Sequence, residues 1–278
     1  MNVIAQFFLL LPRSVALKLG IFIGIISFYL FKKRRVLALN NFNHALGKNY
    51  TPAEQKEIIK KTFINLSLNF IEFLRFQEIT EKTLSQFVTF HGKEHLDTAY
   101  GQHKGVLALT SHAGNWELLA AAISLSGIKG AIVVKAAHQK SFNDFLKKQR
   151  ESKNITLFYG KNSVRDILKF LKSGGAVGIV IDQHGIGRDS VVVPFFGRPA
   201  STLKGLAVLS ERTDCPVIPA YIYRDENFHH HVVFDPPIQH TDNTPEGRTL
   251  QYTQWLESVI IKHPDQWMWT HNRWKSAA

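Results

Sequence analysis

One histidine and one carboxylate lie five positions apart in residues 111–117, which read SHAGNWE. The apolar run at 105–110 predicts a strand before them, and the run rich in Ala and Leu at 118–125 predicts a helix after them. With His112 in the loop and Glu117 in the first helical turn, we expect the carboxylate to lie behind the imidazole and to fix its tautomer. The pair is thus predicted to act as a general base on a hydroxyl. The alternative is that His112 caps the helix and Glu117 pairs with a surface lysine.

A second acidic residue follows another apolar run. Asp182 and Gln183 come directly after residues 176–181, which read AVGIVI. A charged side chain at that position is costly unless it is hydrogen-bonded. We therefore expect Asp182 on the same C-terminal rim of the sheet as His112, where open α/β sheets place their sites. A simple turn or helix cap is the alternative for Asp182.

Other candidate binding residues are small, apolar or cationic. Gly114 would let a ligand approach the backbone closely, and Phe196 with Gly197 combines apolar bulk with flexibility. Thr202 resembles the N-cap of a following helix, whose N-terminus would attract a phosphate or carboxylate. Arg150 suits bidentate recognition of phosphate, although an ordinary solvated helix face explains it equally well.

The composition points to an anionic partner. The 278 residues carry a formal net charge of +12, which suits nucleic acid, an anionic lipid surface, or an acidic substrate or carrier protein. The single cysteine, Cys215, excludes an intrachain disulfide and is interpreted as a packing residue. Residues 229–231, three histidines, would alternate sides in a strand, so no metal site is predicted there.

The N-terminus is apolar and ends in a basic cluster. Residues 3–11 and 15–31 are apolar apart from a few positions such as Lys18, and residues 32–35 read KKRR. The second run is close to the length of a membrane span. If it spans, the positive-inside rule puts residues 32–278 in the cytoplasm; the alternative is a helix pair resting on anionic lipid.

Three regions follow from these patterns: an anchor at 1–35, an amphipathic helical region at 36–85, and an α/β catalytic domain at 86–278. The TPAE start signal at 51–54 and helical spacing of phenylalanines mark the second region, which forms either core packing or one wall of an acyl-chain site. Alternating patterns in the third predict a mostly parallel sheet with helices on both faces. Strands are expected near 105–110, 130–135, 155–158, 176–182, 216–222 and 231–235, and helices near 116–126, 139–152, 162–173, 202–213 and 246–262.

Four blocks in this order resemble the lipid A biosynthesis acyltransferases, the lauroyl and myristoyl transferases of the lysophospholipid acyltransferase superfamily. They are the His112/Glu117 motif, the Asp182-Gln183 pair, the VPFFG block at 193–197 and the closing WMWTHNRWK at 267–275. The resemblance extends over nearly the whole chain, including the apolar N-terminus, although family members are commonly longer.

The resemblance implies transfer of a fatty acyl group from an acyl carrier protein or coenzyme A thioester to a hydroxyl of a membrane lipid. His112 would be the base and Glu117 its orienting partner, with Arg150, Asp182 and Gln183 near the acceptor or donor. Backbone N–H groups near Gly114 and Asn115 are the expected donors to the oxyanion. The acceptor would be a lipid A precursor or a related glycolipid at the cytoplasmic face of the inner membrane, and the alternative acceptor is another lipid, such as a phospholipid or an ornithine lipid. No cofactor or metal is expected.

Two rival classes remain at this point. A lipid hydrolase would use the same His112 to activate water. A non-catalytic membrane or nucleic-acid binding protein would use the basic surface alone, but the chain lacks a nucleic-acid motif and its charges are scattered, so no nucleic-acid partner is expected.

Overall fold

The alternating patterns fold into an α/β architecture, in a computed structural model that describes residues 2–136, 139–160 and 163–275. The strands are β1 (Val88–His91), β2 (Val106–Thr110), β3 (Gly130–Val134), β4 (Thr156–Tyr159), β5 (Ala176–Val180), β6 (Ser190–Phe195), β7 (Arg198–Leu203), β8 (Val217–Arg224) and β9 (His230–Phe234). The helices are α1 (Asn2–Leu10), α2 (Arg13–Leu30), α3 (Lys32–Leu46), α4 (Pro52–Leu74), α5 (Lys93–Gly101), α6 (Trp116–Leu125), α7 (Lys140–Glu151), α8 (Val164–Lys172), α9 (Gly205–Thr213) and α10 (Pro245–Lys262).

Seven of these strands form one mostly parallel sheet. Their order is β1-β9-β8-β2-β5-β3-β4, and only the β8–β9 pair is antiparallel. The central strands β2 and β5 run side by side, with Thr110 opposite Val180. The chain therefore leaves both strands at the same edge of the sheet, which brings the segments after Thr110 and Val180 together, as the sequence predicts.

The predicted strands and helices after residue 104 are present within a few residues of their expected bounds, although residue 162, the expected start of α8, lies outside the described residues. The strand β1, the helix α5 and the antiparallel hairpin β6–β7 were not predicted. The hairpin carries Pro194 opposite Pro199, and prolines weaken the strand signal in a sequence.

Helix α4 begins where the sequence predicts. The Thr51 side chain accepts a hydrogen bond from the Glu54 backbone N–H, and the Glu54 carboxylate accepts one from the Thr51 N–H, which is a capping box. Pro52 occupies the first helical position. The helix buries Ile59, Phe63 and Ile71 in the core.

Helix α2 lies along α4 at close range. Its buried positions repeat every four residues through Ala16, Gly20, Gly24 and Phe28. A Cβ atom at Gly24 would come within 2.5 Å of the Ile64 Cα, so glycine is required for this approach. Further toward the N-terminus, α1 and α2 share a hydrophobic cluster with strands of the sheet.

The exposed surface of α1, α2 and the following Phe31 is mostly apolar, interrupted by exposed polar residues such as Gln6 and Lys18. We call it the apolar face; its residues are Val3, Ile4, Phe7, Leu10, Val15, Phe22, Ile23, Ile26, Tyr29, Leu30 and Phe31. By length and composition, α2 is the one helix among the described residues that could cross a membrane, and 28% of it is buried inside the protein.

Candidate active site

His112 is held by Asp182 at the C-terminal edge of the sheet. The two closest atoms, His112 Nδ1 and Asp182 Oδ1, are 2.8 Å apart. The His112 backbone N–H donates to the other carboxylate oxygen, Asp182 Oδ2, at 2.8 Å. Because one carboxylate binds both the ring and the backbone of His112, it fixes the position and the tautomer of the imidazole. The expectation that Asp182 and His112 share one rim of the sheet is confirmed.

The Asp182 carboxylate is ionised although it is buried. Only 2% of its side chain is exposed, and Trp267 Nε1 donates a third hydrogen bond to it at 2.9 Å. Burial alone would raise its pKa, but the neighbouring His112 and these hydrogen bonds lower the pKa of Asp182 to about 2. An ionised carboxylate accepts hydrogen bonds only, so His112 Nδ1 carries the proton.

The other ring nitrogen of His112 is therefore the basic one. Burial lowers the pKa of His112, but the charge and hydrogen bond of Asp182 outweigh burial, and with a further contribution from Glu117 the pKa is raised. The Gln183 amide nitrogen lies 3.4 Å from His112 Nε2, and the Trp116 indole contacts the ring edge-on. A neutral His112 with a raised pKa is suited to take a proton from a hydroxyl through Nε2.

Glu117 is not the hydrogen-bond partner of His112, contrary to the expectation from the sequence. Both of its carboxylate oxygens accept from Arg150, with distances of 2.9 Å from Nε and 2.6 Å from Nη2. The physical reason is geometric: a guanidinium matches a carboxylate in two parallel bonds, which Arg150 on α7 supplies and an imidazole cannot. The pair still lies close enough for the charges of Glu117 and Arg150 to affect the pKa of His112.

Gly114 and the Asn115 side chain have structural partners, whereas an oxyanion role for the Asn115 backbone N–H stays a prediction. The Gly114 N–H donates to the Gln266 carbonyl at 2.9 Å, so it is not free for an oxyanion. The Asn115 side chain is buried; its oxygen accepts from the Leu118 N–H and caps α6, and its nitrogen donates to Glu72 at 2.7 Å. Gly114 has a positive φ of 57°, and a Cβ there would lie 1.9 Å from the Ile222 carbonyl oxygen.

A buried ionic network holds this loop from below. The Glu72 carboxylate of α4 accepts from Arg224 at 2.7 Å and from Asn115, and it lies 3.0 Å from the His230 ring. Burial would raise the pKa of Glu72, but Arg224 and His230 lower it strongly, so the carboxylate is ionised. One turn earlier, the Asn69 side chain donates to the Gly114 carbonyl at 2.6 Å and accepts from Arg224.

The VPFFG block lies in the β6–β7 hairpin, where Phe195 packs against Trp267, the residue that donates to Asp182. Phe196 and Gly197 form the β6–β7 turn with positive φ angles of 49° and 73°. The Phe196 N–H donates to Glu257 of α10, and its ring packs against Phe195. Thr202 is not a helix N-cap, because it lies inside β7, is fully buried and contacts Arg273, while α9 begins at Gly205 with Lys204 as its N-cap.

Several residues of the site were not predicted. Trp267 had no assigned role, and only its place in the aromatic C-terminal block marks it. Glu72 could have been found, because it is a charged residue between Ile71 and Phe73 in an otherwise apolar part of α4, and such a charge requires buried partners. Arg224 gives no comparable signal, since it ends a strand where a solvated arginine is common.

Three remaining predictions from the sequence concern cysteine and histidine. Cys215 is buried and packs in the core, as expected, and burial raises the pKa of its thiol. His230 and His231 alternate sides in β9, with His230 buried and His231 partly exposed. Within the described ranges, no group of three or more His, Cys, Asp or Glu side chains is arranged to hold a metal ion.

The chain is similar to known proteins over nearly its full length. A family model described as "Bacterial lipid A biosynthesis acyltransferase" matches residues 1–276. The chain is 23% identical over 268 residues to the lipid A biosynthesis palmitoleoyltransferase of Escherichia coli K12, covering 96% of this chain and 87% of that protein. It is 21% identical over 269 residues to the lauroyltransferase of the same organism, with the same two coverages of 96% and 87%. It is 24% identical over 256 residues to a lipid A biosynthesis acyltransferase of Haemophilus influenzae, covering 91% of this chain and 78% of that protein.

Proposed function

Because the chain belongs to the bacterial lipid A biosynthesis acyltransferase family, and is therefore an acyltransferase, we propose that it transfers a fatty acyl group to a hydroxyl of a lipid A precursor, with His112 as the general base. The acyl donor is a thioester of acyl carrier protein or coenzyme A. The observation that carries the proposal is the His112–Asp182 pair, whose geometry leaves a basic Nε2 on the outer side of the ring.

In this mechanism the acceptor hydroxyl lies within hydrogen-bond reach of His112 Nε2. As its oxygen attacks the thioester carbonyl carbon, the hydroxyl proton moves to Nε2, and the ionised Asp182 stabilises the imidazolium that forms. When the tetrahedral intermediate collapses, the carbon–sulfur bond breaks and the imidazolium protonates the departing thiolate. The products are an ester and a free thiol, and the reaction requires no cofactor beyond the thioester.

Negative charge on the intermediate needs donors, and we propose the side chains of Arg150 and Gln183 for this role. Arg150 donates to Glu117 through Nε and Nη2, so its Nη1 takes no part in that pair. Arg150 is also close enough to His112 for its charge to affect the pKa of the imidazole. The Gln183 amide lies against His112 Nε2. In this arrangement Glu117 is a positioning residue for Arg150, while Asp182 has the orienting role that the sequence assigned to Glu117.

We further propose that the protein acts at the cytoplasmic face of the inner membrane. Its acceptor is a membrane lipid, and the apolar face is bordered by exposed Lys32, Lys33 and Arg34. A basic border beside an apolar surface suits binding to anionic lipid.

The test is a transfer assay with purified protein in lipid vesicles that contain a lipid A precursor. Acyl carrier protein and coenzyme A thioesters are supplied separately, and the lipids are read by mass spectrometry. We expect the precursor to gain the mass of one acyl unit with at least one donor, and the His112→Ala variant to lose this activity. His91→Ala, which changes an exposed histidine in β1, is the control and should retain it. Release of free fatty acid without any acylated lipid would show a hydrolase and overturn the proposal.

A further inference from the structure

A groove of about 510 Å³ lies between α2, α4 and the C-terminal segment that follows α10. We call it the α2–α4 groove. Ile23 and Ser27 contribute from α2, Phe70 from α4, and Met268 and His271 from the C-terminal segment. Its volume is within the range of about 300–1,000 Å³ that is usual for small-ligand sites. The lining is mostly apolar, so the groove suits a hydrocarbon chain better than a polar group.

The inner wall of the groove is the segment that holds the catalytic loop. The Met268 N–H donates to the His112 carbonyl at 3.1 Å, and the neighbouring Trp267 donates to Asp182. His271 Nε2 accepts from the His184 N–H at 3.1 Å, and its ring lies close enough to His112 and Asp182 for their charges to affect its pKa. A chain bound in the groove therefore lies against Met268, which donates to the His112 backbone carbonyl, and against His271, whose pKa the charges of His112 and Asp182 affect.

The outer end of the groove is continuous with the apolar face. Ile23 and Phe31 belong to both, with 41% and 53% of their surfaces exposed, and Phe70 beside them is 43% exposed. Arg34 is at the groove and donates to the Thr270 carbonyl. Among the lining residues that the structure describes, it is the only charged one apart from the titratable His271. The groove thus joins an apolar surface, a cation and the neighbourhood of His112.

We infer that the α2–α4 groove binds one hydrocarbon tail of the membrane-embedded acceptor, which reaches the site sideways from the bilayer while Arg34 faces its anionic headgroup. This inference rests on the proposed acyl transfer to a lipid A precursor. It assigns to α2 a binding role in addition to membrane contact.

The location of the groove favours the acceptor tail over the donor chain. The groove opens on the apolar face, which is the side where a bilayer would lie, and the acceptor is the substrate that resides in the bilayer. The donor thioester is carried by a water-soluble acidic protein or nucleotide and approaches from the aqueous side. Within the described part of the chain, no carboxylate lines the groove, which also suits a phosphorylated headgroup.

A substitution that fills the groove tests this inference. Ser67→Trp, on the groove side of α4, should raise the KM for a tailed lipid A precursor by about tenfold, the equivalent of about 1.4 kcal/mol, and leave the KM for the thioester unchanged. The same phosphorylated disaccharide without acyl tails should be acylated equally by variant and wild type. Ser258→Trp, an exposed position of α10 outside the groove, is the matched control. A change in donor KM or in preferred donor chain length, with the acceptor unaffected, would assign the groove to the donor and overturn the inference.

Photo-crosslinking tests binding without requiring turnover. A lipid A precursor with a diazirine in one acyl tail is added to the full chain in vesicles, and labelled residues are identified by peptide mass spectrometry. We expect labelling of Phe70 and Met268 in excess of that by a phosphatidylcholine with the same diazirine. Labelling confined to outer positions such as Phe22 and Tyr29, or equal labelling by both lipids, would overturn the inference. Groove labelling by a protein that transfers no acyl group would instead refute the proposed function alone.

Discussion

At the scale of single residues, the base and its partner come from different strands. His112 follows β2 and Asp182 follows β5, so their 2.8 Å contact depends on the parallel pairing of the two strands. A motif of seven residues contains Glu117 but not Asp182, which is why the sequence assigned the orienting role to Glu117. Arg150, which binds Glu117 instead, lies 33 positions further along the chain, so the motif alone could not predict this pair.

The charge of Asp182 should set both the rate and the pH dependence of acyl transfer. Asp182→Asn keeps the shape of the side chain but removes the charge that raises the pKa of His112. We expect kcat to fall by about 10²–10⁴-fold, because the imidazolium is no longer stabilised. Neutral His112 is the active form, so activity is lost as the pH falls through its pKa. Lowering that pKa should move the acidic limb of the pH–rate profile to lower pH.

Asp225→Asn is the control for this change, since Asp225 contacts His231 at 3.2 Å outside the candidate site. It should leave the rate and both limbs of the profile unchanged. An unshifted acidic limb in Asp182→Asn would contradict the assignment of His112 as the titrating base.

Glu117 and Arg150 should behave as one unit in kinetics. Glu117→Gln and Arg150→Gln each break the two-bond pair, so we expect each to lower kcat/KM, by less than the loss in His112→Ala. Because each single change already destroys the shared interaction, the double variant should lose little more than the worse single variant. Steady-state kinetics of the wild type, the two single variants and the double variant gives the coupling free energy between Glu117 and Arg150.

The exposed pair Lys147–Glu151 on α7 is the matched comparison, with a distance of 3.8 Å between its charged atoms. Substituting either partner should have almost no effect, and the effects should add. If the Glu117 and Arg150 losses also add, Glu117 does not act through Arg150.

At the scale of elements, the sequence patterns predicted the succession of strands and helices along the chain after residue 104, and a mostly parallel sheet, but not the order of the strands within it. Apolar runs such as residues 176–181 and start signals such as Thr51-Pro52 depend only on neighbouring residues, so they can be recognised in the sequence alone. The β6–β7 hairpin was missed because its register depends on pairing between Ser190 and Leu203 and its turn contains Phe196 at positive φ. The contact of Thr202 with Arg273 likewise joins parts of the chain that are distant in sequence, so no local sequence pattern predicts it.

Two asparagines of α4 allow the support of the catalytic loop to be tested. Asn69 and Asn65 both accept a hydrogen bond from Arg224 at 2.7 Å, but only Asn69 donates to the Gly114 carbonyl of the loop. Asn69→Ala leaves that buried carbonyl unpaired, at a cost of about 1–3 kcal/mol. We expect Asn69→Ala to lower kcat much more than Asn65→Ala, with KM values little changed. Equal kcat values at matched stability, measured by thermal unfolding, would show that α4 does not position the loop.

At the scale of the whole molecule, the basic charge is expected to act at the membrane. Lys32→Gln with Lys33→Gln removes two exposed charges beside the apolar face. We expect binding to anionic vesicles to weaken by about 1 kcal/mol per charge, and binding to neutral vesicles to stay unchanged. Vesicle co-sedimentation at low and high salt measures this.

Lys147→Gln with Lys148→Gln provides the control, because these exposed lysines lie on α7 and not in the basic cluster at 32–35 that follows α2. This variant has the same net charge as the first. If both variants lose binding equally, net charge and not the border of the apolar face determines membrane affinity.

The packing of α2 on α4 has a practical consequence for anyone who wants this enzyme free of detergent. Deletion of α1 and α2 is the usual way to solubilise an anchored enzyme. Here it would expose the apolar side chains of Leu68 and Ile71, against which Gly20 of α2 packs closely. It would also remove the lining that Ile23 and Ser27 give to the groove. A soluble version is better engineered by placing polar side chains at outward positions such as Phe22, Tyr29 and Leu30, while both helices are kept.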